Sequence, residues 1–129
     1  MLAVDTNIIV RFLTDDDREQ SARAQALVSK EDLFVSTTVL LETEWVLRRV
    51  YGYARTEVIR ELRRFAGLPR STLEEPGLVA TALDWGERGM DFADALHLAK
   101  AEGCDAFISF DQRLAATANL LSEVKVRAP

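Results

Sequence analysis

Cysteine and histidine are nearly missing from this chain: Cys104 and His97 are the only ones. A single cysteine excludes an internal disulfide framework, and one cysteine with one histidine cannot build a thiolate zinc site. A lone histidine also excludes a histidine-pair acid–base mechanism. No apolar run approaches the roughly 20 residues of a membrane span, and the first residues lack the basic-then-apolar layout of a secretion signal. A soluble, cytoplasmic protein is therefore expected. Internal repeats, linkers and low-complexity stretches are missing too, so the 129 residues are expected to form one domain, 1–129. A chain of that size folds without disulfides or a structural metal.

What the chain does contain is a normal globular share of hydrophobic residues, 48%, which argues against disorder. Its net charge of −5 argues against a simple basic nucleic-acid binder. The charge is unevenly spread. Between Arg48 and Arg70 stand seven arginines against two acids, Glu57 and Glu61, a local +5 that leaves −10 for the rest. This stretch reads either as the wet face of a solvated helix or as a phosphate-contacting ridge beside an acidic pocket.

Leu2 to Val4 is a short apolar run that stops at Asp5-Thr6-Asn7, the pattern of a buried strand followed by a capped helix over 7–13. Asp15-Asp16-Asp17 reads as a solvated cap before a helix over about 17–29, with Ala22, Ala26 and Leu27 on one face. Leu33-Phe34-Val35 is the second strand candidate. Helices are expected over about 38–51 and 55–66, the latter with Val58, Ile59, Leu62 and Phe65 inward. Residues 67–76 read as a breaker-rich connection. Helices over 77–88 and 92–102, a strand at 106–108, a short helix to about 118 and a last strand at 124–126 complete the chain. Trp45 and Trp85 read as core or oligomer contacts, Cys104 as a small buried filler, and His97 as a satisfied core or edge residue.

Short apolar strands alternating with helices, without hairpin signals, indicate an α/β fold: a parallel sheet with helices on both faces. Such sheets bind ligands beyond the carboxyl ends of their strands. Asp5 ends the first strand, Asp111 follows the 106–108 strand, and Asp91 and Asp94 open the helix leading toward it. Grouped carboxylates repel; two unit charges 4 Å apart at an effective dielectric of ~20 cost about 4 kcal/mol. A cation relieves this, and an all-oxygen set suits Mg²⁺ or Mn²⁺ rather than zinc. Each acid also has an ordinary reading as a helix cap: Asp91 with Asp94 as a capping box, Asp111 and Asp5 before the helices that follow them. In Val39-Leu40-Leu41-Glu42-Thr43-Glu44 the apolar arc centres near Thr43 and Val50, with Glu42 and Glu44 on opposite borders. Periodicity does not choose between the two glutamates.

The ordered set Val4-Asp5-Thr6-Asn7, Glu42, Asp91-Phe92-Ala93-Asp94-Ala95-Leu96-His97 and Ser109-Phe110-Asp111 resembles the PIN-domain nucleases, VapC-type toxins above all. The resemblance covers nearly the whole chain. It implies a three-layer α/β/α sandwich around a central parallel sheet of about four to five strands. It implies that Asp5, Glu42, Asp94 and Asp111 form an acidic metal site, with Glu42 favoured over Glu44 and Asp111 at the position that varies most. Asp91 resembles a supporting acid, and Thr6, Asn7 and Ser109 match positions that assist by hydrogen bonding. The implied chemistry is Mg²⁺-dependent hydrolysis of RNA phosphodiesters, with Mn²⁺ as a substitute. The implied role is the toxin of a toxin–antitoxin pair, which blocks translation by cleaving RNA. Expected partners are the RNA, a small cognate antitoxin and a second copy in a homodimer.

Two other readings compete. A HAD-type phosphohydrolase also begins with an aspartate after its first strand but needs another two residues later, where this chain has Asn7. A catalytically silent PIN-like protein-binding module would be free to lose one of the four acids, and all four are present.

Overall fold

The computed structural model describes residues 1–129, which divide into two compact units, Met1–Pro76 and Gly77–Pro129. In the first, the elements run β1 (Leu2–Ala3), α1 (Thr6–Leu13), α2 (Arg18–Lys30), β2 (Leu33–Val35), α3 (Thr37–Arg49), α4 (Arg55–Ala66) and β3 (Ser71–Leu73). The strands form a parallel sheet in the order β1-β2-β3. Central β2 is the most apolar of them, and Leu33 and Val35 are each 1% exposed.

β3 lies inside the stretch expected to be a connection. Ser71-Thr72-Leu73 offers one strongly apolar side chain, and none of the three is fully buried. Its strand character comes from backbone pairing with β2, Leu33 opposite Ser71 and Val35 opposite Leu73. Glu74 then fixes the strand's end. Its carboxylate accepts from the Thr37 backbone N–H (2.9 Å) and hydroxyl (3.0 Å), where the start of α3 presents unsatisfied donors and a partial positive charge.

The helices bury stripes at helical spacing. On α4 the expected Val58, Ile59, Leu62 and Phe65 are all buried. On α2 the buried stripe is Ser21, Ala24 and Val28, while Ala22 and Ala26 are exposed. Ser21 can face inward because its hydroxyl donates to the Thr14 carbonyl at 3.2 Å. Asp17 caps α2 by accepting from the Gln20 N–H. On α3, Thr43 is fully buried as the centre of the apolar arc, but Val50 is 66% exposed because the helix ends at Arg49. Each fully buried Leu, Ile or Phe contributes roughly 1.5–3 kcal/mol through removal from water.

The second unit contains α5 (Pro76–Glu87, beginning at the boundary residue), α6 (Phe92–Lys100), β4 (Phe107–Ile108), α7 (Gln112–Leu121) and β5 (Val126–Arg127). Pro76 suits a first helical position, where no N–H is needed. Gly89, at φ 109°, makes the turn between α5 and α6 in a conformation that side-chain-bearing residues rarely adopt. β4 and β5 pair in parallel, Phe107 opposite Val126. The Trp85 indole N–H donates to the Leu121 carbonyl at 3.0 Å, tying α5 to the end of α7. Trp85 is thus a half-buried contact, whereas Trp45 is 52% exposed. Cys104 is exposed, not a buried filler, because it lies in the turn after Gly103 and before β4. His97 is likewise exposed.

The α/β class and the all-parallel pairing expected from the sequence are present. Five strands form, three in one sheet and two in another. No helix is long and apolar enough to cross a membrane.

Candidate active site

The first unit brings Asp5, Thr6, Asn7 and Glu42 together. β1 ends at Ala3, and Asp5 turns the chain into α1 as its N-cap, its Oδ1 accepting from the Thr6 N–H at 2.7 Å. That leaves Oδ2 without a protein donor. Thr6 points inward, 6% exposed, and its hydroxyl donates to Glu42 Oε1 at 2.5 Å. One threonine therefore orients both acids, Asp5 through its backbone and Glu42 through its side chain. The two acids, Thr6 and the exposed Asn7 line a cleft of about 300 Å³, with Arg11 and Tyr51 also on its walls.

Glu44 has a different fate. It is 4% exposed, and its Oε1 accepts from the Arg48 Nε at 2.8 Å, one turn along α3. A buried carboxylate held by its own helix's arginine is a packing element. Glu42, exposed and facing the cleft, is the glutamate that stands beside Asp5. Two substitutions separate these roles. Glu44→Gln is expected to cost roughly 1.5–3 kcal/mol, the value of a hydrogen bond to a charged group. Glu42→Gln should stay within about 0.5 kcal/mol of wild type, as exposed changes do. Urea unfolding of both variants checks the ordering.

In the second unit, Asp91 caps α6, with its Oδ2 accepting from the Asp94 N–H at 3.3 Å. Asp94 is half-buried in the first turn of that helix. Asp111, exposed after β4, caps α7 through Oδ1, which accepts from the N–H groups of Arg113 (2.9 Å) and Leu114 (3.0 Å). The Ser109 hydroxyl accepts from the Asp111 N–H at 3.0 Å and steadies that turn. For Asp5 and Asp111 the capping and acidic-site readings are therefore compatible, since each cap engages only Oδ1. Within neither unit do three or more His, Cys, Asp or Glu side chains converge on one point.

Arg11 and Tyr51 stand outside the site residues expected from the sequence. Arg11 donates from Nε to Gln20 (2.7 Å) and from Nη1 to Asp16 (3.0 Å) and the Tyr51 hydroxyl (3.0 Å). Tyr51 donates in turn to Asp16 at 2.7 Å. That bond, followed by those from Thr14 and Arg11, holds the Asp16 carboxyl below the usual carboxylate range despite some desolvation. Desolvation works against the Arg11 charge, but Asp16 and Tyr51 more than offset it and raise its pKa. Asp16 is thus a brace for Arg11, beyond the solvated cap expected of the aspartate triplet. The available signal was spacing: Arg11 lies four residues after Asn7, on the same side of α1.

The basic stretch is partly neutralised. Arg64 pairs with Glu61, Arg70 with Asp32 and Arg48 with Glu44, while Arg49 and Arg60 are exposed. The solvated-face reading accounts for the exposed helix positions.

Parallel strands alternating with helices, and an acidic cleft beyond the first strand, place the chain among α/β proteins with a carboxylate-lined site. It belongs to the PIN-domain family, whose model matches residues 2–120. Among solved structures it resembles VapC20 of Mycobacterium tuberculosis, described as a sarcin–ricin loop cleaving toxin. The identity is 22%, the match covers 97% of this chain and 99% of that one, and the TM-score is 0.42. No curated protein matches.

Proposed function

We propose that this chain is a divalent-metal-dependent endoribonuclease that acts as the toxin of a toxin–antitoxin pair. The observation that carries the reading is the Asp5–Thr6–Glu42 arrangement in a cleft beyond the first strand, in a chain of the PIN-domain family. The donors suit a hard cation: two carboxylates, a hydroxyl and the Asn7 side-chain amide are all oxygen ligands or hydrogen-bonding neighbours of one. Mg²⁺ keeps much of its water and commonly takes one or two carboxylates together with substrate phosphate, so the Asp5–Glu42 pair is a sufficient nucleus. Mn²⁺ prefers the same ligands.

Asp94 and Asp111 complete the proposed acidic set on the strength of the family motif. Asp91 supports Asp94 by capping its helix, and Ser109 supports Asp111 by fixing its turn. Asp5 and Glu42, with Asp94 and Asp111, would hold a divalent ion there, and the chemistry it would supply is a lowered pKa of water and charge neutralisation on a phosphodiester. The chain's own contribution is orientation. The Thr6 hydroxyl donates to one oxygen of Glu42 and the Thr6 backbone N–H to one oxygen of Asp5, so each acid keeps its second oxygen for the site. The acids also repel RNA unless a cation is present, which ties activity to the ion. The products should carry 5′-phosphate and 3′-hydroxyl ends.

The PIN-domain match runs through both units and supports the reading of residues 1–129 as one domain. RNA, a small cognate antitoxin and a second copy in a homodimer are the partners proposed, in the cytoplasm. Induced expression in a bacterial host tests the toxin role. Wild type should halt growth and Asp94→Asn should not; unimpeded growth with well-expressed wild type would count against the toxin.

A further inference from the structure

RNA that reaches Asp5 and Glu42 enters a cleft whose acids repel its phosphates. Among the residues lining that cleft, Arg11 is the only cation. Its guanidinium is already fixed on one side. Nε donates to Gln20, and Nη1 donates to Asp16 and Tyr51. These partners come from three places in the first unit: the loop after α1, the first turn of α2 and the residues just past α3. The remaining terminal nitrogen, Nη2, carries two N–H donors and no protein partner, and the side chain is 28% exposed. An arginine braced at one edge and open at the other is a preorganised anion receptor, because little rotamer freedom is left to lose on binding.

We propose that Arg11 is an RNA-binding residue, gripping through Nη2 a phosphate that adjoins the scissile one. The inference rests on the nuclease reading of the same cleft and deepens it. Asn7 stands one turn before Arg11 on α1, so their backbone positions are about 6 Å apart along the helix axis, and both side chains line the cleft. They form a short track leading away from Asp5, of the order of one nucleotide step. Asp16 and Tyr51 are positioning residues, acting on the RNA only through Arg11.

The test uses the full-length protein and a single-stranded RNA that wild type cleaves, with steady-state kinetics in Mg²⁺. A parallel titration measures RNA binding against salt. Arg11→Met keeps the stem and removes the donors. It should raise KM about tenfold, the loss of one hydrogen bond to a charged group, with kcat within about threefold. The slope of log affinity against log salt should shrink by about 0.7, one phosphate contact on a single strand. Arg11→Lys should restore the slope but not the full KM, because the charge returns without the braced fork. Tyr51→Phe should raise KM without changing the slope.

A simple structural brace gives a different pattern: a lower melting temperature and lower kcat, with the salt slope unchanged, which would overturn the proposal. Should Arg11→Met fail to fold, Arg11→Gln keeps a hydrogen-bonding end for Asp16 and reads the same two quantities. Unaltered KM and slope in a variant of an active wild type would overturn the Arg11 assignment alone. A wild type that neither binds nor cleaves RNA would overturn it together with the nuclease reading.

Discussion

Asp5→Asn is expected to lower RNA cleavage about a thousandfold or more while leaving the fold intact. The magnitude follows from the several kcal/mol that a bound metal supplies to phosphoryl chemistry, at about 1.36 kcal/mol per tenfold in rate. The fold survives because asparagine caps helices about as well as aspartate. The asparagine side-chain oxygen can still accept from the Thr6 N–H, as Asp5 Oδ1 does. What disappears is the charge and the second carboxylate oxygen. Gel-based cleavage and thermal melting should therefore diverge, with activity lost and the melting temperature nearly unchanged. A variant with half the wild-type rate would remove Asp5 from the site.

The second large effect concerns stability. Phe65→Ala should cost about 3–5 kcal/mol, a large share of the roughly 5–15 kcal/mol that holds a domain folded. Phe65 is completely buried on α4. Its ring and that of Phe12 make a T-shaped contact at a centroid distance of 5.4 Å and an interplanar angle of 78°, an arrangement that adds to simple burial. The contact joins α4 to α1, the helix that carries Thr6, Asn7 and Arg11. Loss of Phe65 should therefore lower both the urea midpoint and the cleavage rate at moderate temperature. A cost below about 1 kcal/mol would mean that the Phe12–Phe65 contact does not anchor α1.

The elements most legible in the sequence were those whose side chains face one apolar layer at a regular period. α4 is the clearest: its four expected inward residues are the four that are buried. α2 was found, but its buried face was rotated. Ser21 turned inward on a backbone hydrogen bond that hydrophobicity does not register. β3 is not legible in the sequence because its pairing is a backbone matter, anchored by Glu74 reaching the start of α3. The exposure of Cys104 is hidden for a similar reason, since a turn after Gly103 decides it.

The site divides in the same way. Asp5 could be read directly, as the first polar residue after an apolar strand. Glu42 and Glu44 were indistinguishable by periodicity, and family resemblance had to choose. The structure separates them physically, with Thr6 bonded to one and Arg48 to the other. Arg11 is not legible in the sequence because its placement depends on partners 5, 9 and 40 residues away, a convergence that no local pattern encodes.

Metal-dependent cleavage of RNA is tested by incubation of the purified protein with a mixed RNA pool in Mg²⁺, in Mn²⁺ and in excess EDTA, followed by restoration of Mg²⁺. Cuts are expected in both metals, none in EDTA, and recovery when Mg²⁺ returns, with 5′-phosphate and 3′-hydroxyl product ends. Full cleavage in EDTA by wild-type protein would contradict it.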